Sequence, residues 1–144
     1  MVDVISLFDL TEAEEKYIHP IRELLAQLSS SEVVFSIDTL KEIVGSSNVH
    51  LFIAIYNGNV CGMLTLAHYV APTGRKLWIE DVVVDSRLRG KSIGRSLVQC
   101  AVEKAKEIGG TLMLTSKPAR VAANALYRSS GFEQKETNVY RMKV

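Results

Sequence analysis

The sequence predicts an α/β fold in which helices flank a mixed sheet. Two observations carry this. Strand-length apolar runs and helix-period runs follow one another as a strand, two helices, a hairpin, and then strand–helix–strand–helix–strand. Asn57-Gly58 also joins two apolar runs, HLFIAIY and VCGMLTLAHYV, and a type I′ hairpin turn needs positive φ at both of its central residues. A length of 144 residues suits one domain, over residues 1–144, with a single core.

The elements follow in order. Residues 2–8 read as a strand. Thr11 and Glu14 form a capping box for a helical stretch over 11–28, which Pro20 splits into a short turn and a helix. Asp38 caps a second helix that stops at Gly45. After the hairpin of 50–56 and 60–70, residues 71–76 read as a loop and 77–84, LWIEDVVV, as a buried strand. A helix follows over about 92–108, with Ile93, Leu97, Ala101, Ala105 and Ile108 at helical spacing, and Gly109-Gly110 ends it. Residues 111–116 predict a strand, 121–130 a helix closed by Gly131, and 133–144 one or two final strands.

Composition excludes several classes. Seventeen basic and sixteen acidic side chains leave a net charge of +1, too little for bulk attraction to nucleic acid or an anionic membrane. Cys61 and Cys100 lie far apart in apolar settings and read as small buried hydrophobes. His19, His50 and His68 lack metal-ligand spacing, so no metal is expected. The N-terminal run has no secretory pattern and no stretch is long and apolar enough to span a bilayer. A cytoplasmic domain is the expectation.

The chemistry concentrates in SRLRGKSIGRSL, residues 86–97. Gly90-Lys91-Ser92 matches the tail of a P-loop, but that motif needs a glycine at the position of Asp85, so a triphosphate-binding loop is excluded. What remains is a strand, a basic turn with Arg87, Arg89, Lys91 and Arg95, and a helix start. Such a start presents unpaired N–H groups and a positive dipole end, which favour an anion. Spacing alone leaves this open against a solvated basic turn.

In this context the chain resembles the GCN5-related N-acetyltransferase (GNAT) family. Arg89-Gly90-Lys91-Ser92-Ile93-Gly94 matches the family signature, flanked by IEDVVVDSRL before and LTSKPARVAANALYRSSGF after. The resemblance implies a splayed, mostly antiparallel sheet with acetyl-CoA wedged between its central strands. Val82, Val83 and Val84 would lie along the pantetheine arm. Arg89, Gly90, Lys91, Ser92, Ile93, Gly94 and Arg95 would cradle the pyrophosphate. Asn124 would touch the cofactor and Tyr127 would sit near its sulfur. Ser92 stands where the family usually has glycine; its hydroxyl can cap the helix or donate to a phosphate oxygen. The resemblance further implies an amine acceptor, a small molecule or a protein amine, and allows a homodimer. The run IEDVVVDSRLRGKSIG also looks like that of glucosamine-phosphate acetyltransferases, whereas the later motif does not match theirs closely.

Acetyl transfer to an amine needs a neutral nucleophile, a donor for the developing oxyanion and two substrates held together. Glu80 and Asp81 interrupt an apolar strand, where a carboxylate is costly without a partner or a task. Glu80 is the candidate base, with pairing to a neighbouring cation as the alternative. Arg120, Asn124 and Tyr127 fall on one helix face, opposite Val121, Ala122, Ala125 and Leu126, and Tyr127 is the candidate partner of the leaving sulfur. His68 and Tyr69 read as rim residues on the acceptor side. The reading is an acetyl-CoA-dependent N-acetyltransferase working by direct transfer in a ternary complex. The alternative is a non-catalytic acetyl-CoA-binding regulatory module, which needs no acceptor cleft and shows no turnover.

Overall fold

A computed structural model describes residues 5–144. Contacts divide the chain into two compact units, one ending at Leu114 and the other spanning Thr115–Val144.

The first unit holds five strands in the order β1-β2-β3-β4-β5: β1 (Ile5–Asp9), β2 (Val49–Tyr56), β3 (Asn59–Ala71), β4 (Gly74–Val84) and β5 (Thr111–Met113). The first three pairings are antiparallel and β4–β5 is parallel, through the crossover helix α3 (Ile93–Ile108). Helices α1 (Ile18–Leu28) and α2 (Ile37–Gly45) close one face, where Ile21, Leu24 and Leu40 pack with Leu51, Ile53 and Met63. On the opposite face α3 buries Ile93, Leu97, Val98, Ala101 and Ala105; this is the stripe expected from its spacing with Val98 added, except that Ile108 at the helix end is only partly buried.

Several boundaries differ from the expectation. The predicted first strand covers residues 2–8, of which 1–4 lie outside the described residues. The Thr11–Glu14 capping box does not form; Leu10 N–H donates to Leu51 O and holds the chain extended past β1. Helix α1 begins only at Ile18, so Pro20 falls in its first turn, where the missing N–H costs nothing. Ser36, not Asp38, caps α2, accepting from Thr39 N–H at 3.4 Å. Asp38 instead adds charge to the first turn.

The first hairpin forms as predicted, with φ of 47° at Asn57 and 86° at Gly58. The loop expected over 71–76 shrinks to Pro72-Thr73, because β3 and β4 pair as far as Ala71 and Gly74. Strand β5 is three residues long where six were expected. Residues 133–144 form no strand. Their apolar members Val139, Tyr140, Met142 and Val144 are exposed, so no buried face drives pairing.

Two features of β4 position the site. It pairs with β5 only at Lys76, Leu77 and Trp78. Among the described residues, Ile79–Val84 therefore have a strand partner on the β3 side alone. The register with β3 also shifts, from Thr65↔Glu80 to Met63↔Val83, so Asp81 and Val82 share the space opposite Leu64. Asp81 makes this bulge with φ 51°. Aspartate tolerates the left-handed region better than most residues, whereas a β-branched side chain does not. Asp81→Gly should keep the stability of the parent or raise it, while Asp81→Val should lose about 1–2 kcal/mol relative to the glycine variant. Urea denaturation of both variants measures the difference.

Candidate active site

Strand β4 runs into a tight, strained turn before α3. Asp85 closes the strand: its N–H donates to Cys61 O at 2.7 Å and its side chain is buried. Asp85 Oδ1 accepts from the Arg87 N–H at 3.0 Å and so caps a single 3₁₀ turn, Ser86–Leu88. The Arg87 guanidinium grips the same carboxylate, Nη2 to Oδ2 at 2.6 Å and Nε to Oδ1 at 3.1 Å. These bonds hold the Asp85 carboxyl down at about 2. Gln27 at the end of α1 accepts from the Ser86 N–H at 2.9 Å. The residue that excludes a P-loop thus builds the turn. Its sequence signal, an aspartate two residues before an arginine at a strand end, matches a side-chain-capped turn.

Gly90 takes φ 84° and Ser92, the N-cap of α3, takes φ 61° and ψ 23°. Ser92 therefore adopts the left-handed conformation that glycine would supply at this point of the family signature. Its hydroxyl makes no capping bond, which removes that one of its two expected roles. Its carbonyl accepts from both the N–H and the Oγ of Ser96, each at 3.0 Å. The four cations divide. Arg87 is committed to Asp85, and Lys91 lies over the Tyr56 ring, 5.1 Å from its centroid. Arg89 and Arg95 are exposed and form no ion pair among the described residues. A cavity of about 610 Å³ opens on the α1 side of the turn, walled by Glu23, Gln27, Tyr56, Cys61, Asp85 and Arg87.

Glu80 is exposed and has no hydrogen-bond or ion-pair partner among the described residues, which sets aside the paired-acid alternative. Partial desolvation, and then the neighbouring Asp81 charge, push its carboxyl above the usual range. Val83 is buried, and Val82 and Val84 are partly so, along the edge that β5 leaves open. His68 is not a free rim residue. On the α3 face Arg75 Nη1 lies 3.0 Å from His68 Nδ1, the His68 ring stacks on His50, and His50 Nδ1 meets Asp9 Oδ2 at 2.8 Å. Tyr69 points to the other face and is half exposed. Cys61 is buried as expected, and burial pushes its thiol up to about 11, whereas Cys100 is only partly buried.

In the second unit, α4 (Val121–Ser129) carries Asn124 and Tyr127. The expected division of faces reverses. Val121 is 74% exposed and Ala122 and Ala125 are exposed, whereas Tyr127 is buried, edge-on to Phe132 at 6.1 Å. The ring packs with Phe132 and so takes the buried face of the helix. Asn124 Nδ2 donates to Lys117 O at 3.0 Å and braces the segment before the helix. Burial raises the Tyr127 hydroxyl, with Arg120 opposing.

Comparison with known proteins agrees with this architecture. The acetyltransferase (GNAT) family model matches residues 9–132, and the chain belongs to that family. It is similar to an aminoalkylphosphonate N-acetyltransferase of Salmonella typhimurium strain LT2, 28% identical over 138 residues that cover 92% of this chain and 89% of the relative. A glucosamine-6-phosphate N-acetyltransferase from Arabidopsis thaliana shares the fold, with a TM-score of 0.82, 23% identity and coverage of 96% and 98% of the two chains. So does an aminoglycoside N-acetyltransferase solved with CoA, with a TM-score of 0.79, 16% identity and coverage of 99% and 97%.

Two outcomes follow for the turn. Ser92→Gly should raise stability by about 0.5–1 kcal/mol, since a left-handed non-glycine residue costs roughly 1–2 and glycine gives back about half through its unfolded-state entropy; a higher urea midpoint would show it. The Asp85 carboxyl is depressed in the folded state, so its contribution is complete above the unfolded value near 4 and is lost as pH falls toward 2. Between those limits, thermal unfolding of the parent should lose Tm more steeply than that of Asp85→Asn.

Proposed function

We propose that the chain transfers the acetyl group of acetyl-CoA directly to a small primary amine, with both substrates held in one ternary complex. The observation that carries this is the continuity of an open β4 edge, Ile79–Val84, with a basic turn and the N-terminus of a 16-residue helix. That combination fits a ligand with amide groups at one end and phosphates at the other. Backbone groups of Val82, Val83 and Val84 would pair with the amides. The first N–H groups of α3, together with Arg89, Gly90, Lys91, Ser92, Ile93, Gly94 and Arg95, would hold the pyrophosphate. Bound there, acetyl-CoA supplies an activated thioester.

The chain's own residues then do three things. Glu80, with no ion-pair partner among the described residues, accepts the amine's proton directly or through water, and its raised pKa makes it a stronger base than an ordinary carboxylate. Arg89 and Arg95 neutralise phosphate charge. By the family resemblance Tyr127, whose hydroxyl burial raises, would donate a hydrogen bond to the departing sulfur without surrendering its proton. The roles of Tyr127 and Asn124 rest on the family resemblance.

The test is thiol release from acetyl-CoA with a panel of small primary amines. Turnover is expected, and Glu80→Gln should lower kcat by about 10²-fold with little change in cofactor affinity. The parent's kcat should rise with pH as Glu80 ionises, on a limb above the usual carboxylate value of about 4.3, and the variant should lack that limb. Tight CoA binding with no turnover for any amine would identify a non-catalytic binding module instead.

A further inference from the structure

On the α1 side of the sheet the apolar core ends part-way along β3 and β4, while β2 carries it one pair further with Leu51. Ile53, Met63 and Val83 belong to the cluster under α1 and α2. The next residues on that face are Thr65, Ala67 and Tyr69 of β3, paired with Glu80, Trp78 and Lys76 of β4. None of these six is buried, and Glu80 and Tyr69 are exposed. Strand β4 therefore presents an acid, an indole and an ammonium in a row, every second residue, along a strip that is exposed at Glu80 and Tyr69 and partly buried at Trp78 and Lys76. Glu80 and Lys76 are four residues apart, roughly 13 Å along the strand. Neither has an ion-pair partner among the described residues. Two opposite charges spaced by an aromatic surface complement a molecule with the reverse arrangement.

We propose that this strip receives the acceptor, and that the acceptor is a small primary amine carrying an anionic group. The inference rests on the acetyltransferase reading and names its substrate class. The amine sits at Glu80, the connecting carbons lie on Trp78, and Lys76 holds the anion. A hydrogen bond of about 2.8–3 Å at each end, with the reach of the lysine stem, leaves room for an amine and an anion only a few bonds apart. The Salmonella relative is named for aminoalkylphosphonate, which has this chemistry. Phosphonate, phosphate and carboxylate share the charge that Lys76 recognises, and the assay separates them. Lys76 and Trp78 are specificity residues, with no part in proton transfer.

The experiment compares kcat/KM for 2-aminoethylphosphonate and for propylamine, by thiol release, in the parent, Lys76→Gln and Lys76→Arg. O-phosphoethanolamine and 3-aminopropanoate report which anion is preferred. The parent should favour an anionic amine over propylamine by tenfold or more. Lys76→Gln should reduce that preference at least tenfold, through KM and not kcat, and Lys76→Arg should restore most of it. A parent that turns over propylamine as well as every anionic amine overturns the acceptor class, as does a preference that survives Lys76→Gln. Both outcomes leave acetyl transfer standing. Absence of thiol release from every amine, neutral ones included, removes the acetyltransferase reading and this inference with it.

Discussion

A backbone amide in a sheet needs a hydrogen-bond partner, and among the described residues the strand partners on one side of β4 stop at Trp78. The constraint follows from the shortness of β5. Its three residues are anchored where α3 returns to the sheet, at Gly110, whose missing Cβ would fall 2.5 Å from Arg75 O. Any larger residue would push β5 away from β4. The pairing is thus fixed tightly at one end and absent further along. The proposed cofactor site consists of that unfulfilled edge, and the turn beyond it is built to continue it. Asp85 ends the strand and caps the turn, which brings the chain to Ser92 and the open N–H groups of α3.

Strain gathers along the same path. Asp81 and Ser92 both hold positive φ without being glycine, and they bracket the strand end and the turn. Ser92 costs roughly 1–2 kcal/mol and Asp81 less, since aspartate tolerates this region better, and the surrounding bonds must over-determine both. At Asp81 the strain places Glu80 and Val83 on one face, the first open and the second in the core. At Ser92 it aims the helix start while leaving the side chain outside the capping role that serine usually takes.

Much of this was legible in the sequence, for identifiable reasons. The Asn57-Gly58 hairpin, the α3 stripe and the basic turn are local patterns, set by neighbours in sequence. The family signature is itself local, so it marks the turn and helix start at which the cofactor is proposed to bind. The bulge was not legible. Two adjacent acids in an apolar strand leave open which of them faces the core side, and only the register against β3 decides it. The stopping point of β5 was hidden because LTS continues an acceptable strand pattern after TLM. The burial of Tyr127 in place of Val121 and Ala122 was hidden because helix spacing gives two faces without saying which turns inward. Ser36 displaced Asp38 as a cap because both residues suit the position and a boundary shift of two residues separates them.

The polar chain Asp9–His50–His68–Arg75 crosses β1, β2, β3 and β4 on the α3 face. Its consequence is alignment. The β2–β3 and β3–β4 pairings each contain a register shift, and apolar alternation alone is satisfied equally well by a slip of two residues. The four side chains meet in only one alignment. A slip of one residue would send a member to the other face, and a slip of two would carry it roughly 6.6 Å along its strand. The chain therefore works as a key cut across four strands, and its last tooth, Arg75, sets the phase of β4. That phase determines which of two adjacent carboxylates stands opposite Thr65.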